Sequence, residues 1–89
     1  MADFIQDLAD DLARDVLEAS KELDDPFFFE QVSKVLGASS TTLQEAFLTS
    51  IRIRQAEARG RVFLQQALSA KQSGVALPAA PGEAESGGH

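Results

Sequence analysis

The stretch from Leu43 to Ala70, LQEAFLTSIRIRQAEARGRVFLQQALSA, constrains the fold more than any other part of the chain. It contains no proline and a single glycine, Gly60, so it reads as one long helix. Wound at 100° per residue, it carries apolar side chains on two opposite sides. Leu43, Phe47, Ile51, Ala58 and Val62 form one stripe; Ala46, Ile53, Ala56, Gly60, Phe63, Leu64 and Ala67 form the other. A surface helix hides one stripe against its core, and a helix apolar on two sides has to be covered twice. The second stripe keeps a three–four spacing through 53, 56, 60, 63 and 67, the period of a helix–helix seam. Ala56, Gly60 and Ala67 are small, which lets a neighbouring backbone come close. A glycine inside a helix costs about 1 kcal/mol relative to alanine. Close packing on the seam is the preferred account of Gly60, and a kink or break is the alternative.

The rest of the chain offers one neighbour for this helix, not two. Residues 3–23 form an amphipathic helix whose stripe is Ile5, Leu8, Ala9, Leu12, Val16, Ala19 and Leu23, with most carboxylates on the other side. Asp3 is its expected N-cap. Asp24-Asp25-Pro26 stops that helix and restarts another, since proline suits a first helical position and disfavours helix in the residue before it. The second helix is expected over 26–36, with Phe28, Phe29, Val32, Val35 and Leu36 inward. Phe27 falls off that face and either reaches back over the first helix or stands as an exposed anchor for a partner. Gly37 is expected to end the second helix in the left-handed conformation. Thr41 with Gln44, or Thr42 with Glu45, has capping-box spacing and opens the third helix. The expected fold is all-α: two short helices packed on one face of a long C-terminal helix over residues 3–72. Residues 73–89, rich in Pro, Gly, Ala, Glu and Ser and without periodicity, are expected to be a disordered tail.

Eighty-nine residues hold one domain, of a size whose core supplies only a few kcal/mol and for which oligomerisation is a common remedy. Chemistry finds few reagents here. There is no cysteine, and the one histidine is the last residue, so no disulfide, thiolate site or imidazole base is available within the domain. Ser39, Ser40, Thr41 and Thr42 have hydroxyls but no base to activate them. No Gly-rich phosphate loop occurs. Asp3, Asp7, Asp10, Asp11 and Asp15 lack the Asp-Gly loop of a calcium site and read as a solvated face. The expectation is a protein that is not an enzyme and takes no cofactor or metal. Its start does not resemble a signal peptide and no apolar run approaches the ~18 residues of a membrane span. A cytoplasmic protein with no membrane partner is therefore expected.

The net charge of −6 is unevenly spread. Residues 1–25 carry −7, residues 26–50 carry −1, residues 51–72 carry +4 and the tail carries −2. An acidic first helix and a basic last one are expected to lie near each other, within or between subunits. Arg52 and Arg59, and likewise Arg54 and Arg61, are seven residues apart, so the pairs flank the small-residue seam. They read as charged flanks of a helix pair, as e and g residues do in coiled coils; a ladder for phosphates is the other reading.

The stretch Phe29–Phe47, FEQVSKVLGASSTTLQEAF, resembles a DNA-binding helix-turn-helix. The resemblance rests on Val32, Ser33, Leu36, Gly37 in the turn, Leu43 and Ala46. It implies a second helix that enters the major groove, with Ser40, Thr41, Thr42, Gln44 and Glu45 facing the bases. None of those five is basic, and phosphate neutralisation usually supplies most of the affinity. The preferred expectation is therefore a non-enzymatic protein-interaction module, a small regulatory or adaptor protein acting as a homodimer or with a helical partner. Its seam is Ile53, Ala56, Gly60, Phe63, Leu64 and Ala67. A dimeric helix-turn-helix DNA-binding regulator is the alternative.

Overall fold

The computed structural model describes residues 3–74, and their regular structure is helical throughout: α1 (Phe4–Leu23), α2 (Phe28–Ser39) and α3 (Thr41–Ser73). The all-α expectation holds. Helix α3 runs without interruption through Gly60 and ends at Ser73, with Gly74 in the left-handed region at φ 75°. The expected tail thus starts one residue inside the helix, and 75–89 lie outside the described residues. The chain divides between Gln55 and Ala56 into two units. The first contains α1, α2 and about four turns of α3; the second begins at Ala56.

Helix α1 starts as its sequence requires. Asp3 is extended, and its carboxylate accepts a hydrogen bond from the Ile5 amide at 3.1 Å. At the other end Asp24 takes the left-handed conformation at φ 56°, a role that aspartate tolerates better than most residues. The Asp25 carboxylate then accepts from the Phe27 amide at 3.1 Å. Pro26 and Phe27 form a turn, so α2 begins at Phe28, two residues later than the proline alone implies.

The face that α1 turns inward differs from the expected one. Ala9, Ala13, Val16 and Ser20 are buried, while Ile5, Leu8 and Leu23 are exposed. At 100° per residue this is a rotation of roughly 60°. Side-chain size explains it. Ala9 and Ala13 project nothing beyond Cβ, so the bulk of Phe47 and Ile51 from α3 fills the space against them, and all four are fully buried. Leu12, Leu17, Phe28, Phe29, Val32, Leu36, Leu43, Ala46 and Leu48 pack around this centre. Burying Phe47 and Ile51 contributes roughly 1.5–3 kcal/mol each. Val35, expected inward on α2, is exposed. The Ser20 hydroxyl is satisfied locally, donating to the Val16 carbonyl at 2.9 Å.

Only Ser40 separates α2 from α3. Its backbone is extended, its amide donates to the Leu36 carbonyl, and its hydroxyl accepts from the Leu43 amide at 3.1 Å. The cap is therefore Ser40 rather than Thr41 or Thr42. Gly37 does not end α2, which continues to Ser39, and it has no positive φ. Glycine serves a different need there. The Gln44 side-chain amide crosses over it to donate to the Ser33 carbonyl at 2.9 Å and to the Ser33 hydroxyl at 3.2 Å. A Cβ at position 37 would stand 2.6 Å from Gln44 Nε2. Gln44, expected in a capping box, is thus the strut that holds the tight α2–α3 corner.

Candidate interaction surface

The inward stripe of α3 ends sooner than its sequence indicates. Phe47 and Ile51 are buried and Leu43 is half-buried, but Ala58 and Val62, about two and three turns further on, are exposed. The second stripe is largely uncovered. Ile53 is 63 % exposed and Leu64 52 % exposed; Ala56 and Gly60 are exposed, and Phe63 and Ala67 are half-buried. A Cβ built on Gly60 meets nothing within 4 Å, so no packing reason for glycine at that position lies among the described residues. Leu68, outside the expected seam, adds a further exposed apolar side chain to the second unit.

The four arginines have different roles. Arg54 Nη2 donates to the Asp10 carbonyl at 3.1 Å and its Nε to the Ser50 hydroxyl at 3.3 Å, tying α3 to α1. Arg61 pairs with Glu57 one turn back on the same helix. Arg52 and Arg59 are exposed and form no salt bridge among the described residues. Beneath Arg54, the Gln6 side-chain amide donates to the Asp10 carboxylate at 2.9 Å. That bond, and after it the Ser50 hydroxyl, holds the Asp10 carboxyl below its ordinary value against the opposing cost of desolvation, with a lesser contribution from the Arg54 charge.

Phe27 is 62 % exposed, at the α1–α2 turn. A shallow concavity beside it is lined by Ser20, Lys21, Asp24, Asp25 and Pro26, with the Ser20 hydroxyl already committed to Val16. Among the described residues no three His, Asp or Glu side chains gather as a metal site would require, and no helix is long and apolar enough to cross a membrane. Two features bear on the helix-turn-helix resemblance. One non-helical residue joins α2 to α3, where that motif has a turn of about three to four. The Gln44 amide, one of the five residues that would face bases, is bonded to Ser33.

The inference from the sequence misses one surface. Because α1 is rotated, Phe4, Ile5, Leu8 and Leu23 form an exposed apolar row, with Leu12 and Ala19 half-buried along it. Asp11, Asp15, Glu18 and Glu22 line one edge of that row, by their helical spacing. Arg14 pairs with Asp11 at 3.5 Å and with Asp15 at 3.3 Å, which leaves Glu18 and Glu22 without a salt bridge among the described residues. The sequence does hold a signal for this. Ala9, Ala13 and Ser20 form a strip of small side chains beside the large ones, and small residues mark the side where another helix approaches. Comparison with family models, curated proteins and solved structures finds no match to this chain.

Proposed function

We propose that this protein is a non-enzymatic helical interaction module, a small regulatory or adaptor protein that acts as a homodimer or on a helical partner. The observation that carries the proposal is the uncovered second stripe of α3, with Ile53 and Leu64 more than half exposed. Contiguous exposed apolar side chains on a soluble helix mark an interaction site. Gly60 supports the same reading. It costs the helix about 1 kcal/mol and has open space where a Cβ would be, which suits a backbone arriving from another chain. DNA binding is the weaker alternative, because the short α2–α3 corner and the bound Gln44 amide both depart from the helix-turn-helix pattern.

The test is Gly60→Leu. Leucine is the better helix former, so helix content by circular dichroism should hold or rise while association falls. Sedimentation with interference optics suits a chain that lacks Trp and Tyr. Association unchanged by the bulky side chain would remove the seam from the proposal. A fluorescence-anisotropy titration against mixed-sequence duplex near 150 mM salt addresses the alternative: submicromolar binding that weakens with salt at about −0.9 per phosphate contacted would replace the interaction reading.

A further inference from the structure

The exposed row on α1 and the exposed stripe on α3 are complementary in charge, and each is unsuited to pairing with itself. Helix α1 carries Asp7, Asp10, Asp11, Asp15, Glu18 and Glu22 against Arg14 and Lys21, a net −4. The stretch 51–72 of α3 carries Arg52, Arg54, Arg59, Arg61 and Lys71 against Glu57, a net +4. Two α3 seams laid together would bring Arg52 and Arg59 against their own copies. Two α1 rows would likewise set acid against acid. Like charges across a seam cost stability, and opposite ones at flanking positions choose the partner.

From this complementarity we propose that the occupant of the α1 row is the α3 stripe of a second copy of this chain, and that the contact is made reciprocally. The proposal rests on the interaction-module reading and names its partner surface. The pairing meets three requirements. Both helices offer large exposed apolar side chains: Phe4, Ile5 and Leu8 on α1, Ile53 and Leu64 on α3. Arg52 and Arg59 are seven residues apart, as are Asp11 and Glu18, and Asp15 and Glu22, so the basic and acidic rows share a repeat. A dyad also makes the contact twice, which brings a helix-pair interface towards the roughly 1,600 Å² of a stable complex and closes the assembly.

Charge reversal tests this on the full chain. Three variants are compared with wild type by sedimentation equilibrium in about 0.1 M salt, with circular dichroism to confirm unchanged helix content. They are Glu18→Arg with Glu22→Arg, Arg52→Glu with Arg59→Glu, and the four reversals together. Wild type should self-associate, each pair of reversals should weaken association at least about tenfold, and the fourfold variant should recover most of it. Acid reversal that leaves association intact would overturn the α1 row as receptor while the α3 seam stands. Failure of the fourfold variant to recover, with its helices intact, would also overturn the pairing. A wild-type chain monomeric at several hundred micromolar would overturn the second-copy occupant and the homodimer together, and leave only a foreign helical partner for the module.

Discussion

Replacing Gly37 by alanine separates two opposed effects whose sizes follow from the corner geometry. Alanine in the interior of α2 gains about 1 kcal/mol of helix propensity. Its Cβ, however, would stand 2.6 Å from Gln44 Nε2 and 2.9 Å from Gln44 Cδ, so the Gln44 side chain has to leave. Leaving breaks its bonds to the Ser33 carbonyl and hydroxyl, each contributing roughly 0.5–1.5 kcal/mol net. The two losses together equal or exceed the gain, and Gly37→Ala should destabilise by up to about 2 kcal/mol, a fall of roughly 4–8 °C in Tm per kcal/mol for a domain this small. In a Gln44→Ala background the clash and the bonds are both absent. There Gly37→Ala should stabilise by the full ~1 kcal/mol. The measurement is a double-mutant cycle from urea unfolding followed by circular dichroism, performed at low micromolar concentration. A coupling of about 1–3 kcal/mol between positions 37 and 44 is expected. If Gly37→Ala stabilises equally with and without Gln44, the glutamine strut is not what requires glycine.

Two further outcomes follow from the same unit. Ser40→Ala removes the hydroxyl that accepts from the Leu43 amide and should cost about 1 kcal/mol, read as a lower midpoint in urea; an unchanged midpoint would mean that water replaces the cap at no cost. Asp10 has its pKa lowered in the folded state, so its contribution to stability is complete above the unfolded carboxylate value near ~4 and fades as pH falls through the folded value. Asp10→Asn should therefore reduce stability at neutral pH and flatten the loss seen on acidification below about pH 4; parallel stability–pH curves for wild type and variant would contradict this.

Much of the helical framework is legible in the residues alone, because its causes are local. Asp3 caps α1 with its own carboxylate, Asp24-Asp25-Pro26 breaks the chain, and the absence of proline from Leu43 to Ala70 lets α3 run through Gly60. Each of these depends on neighbours within a few positions. The two-sided character of α3 is legible for the same reason, as a periodicity. What only the tertiary structure decides is which apolar face goes inward and where packing stops. Hydrophobicity ranks Leu8 above Ala13, yet Ala13 is fully buried and Leu8 is 45 % exposed. A core forms where side-chain volumes on facing helices fit, and the small strip on α1 accepts Phe47 and Ile51 where the leucines would not. Likewise Gly37 reads as a helix end until Gln44, seven residues on, is seen crossing above it. Periodicity places a residue on a face; volume and contacts between distant residues determine whether that face is buried inside the chain or left for another.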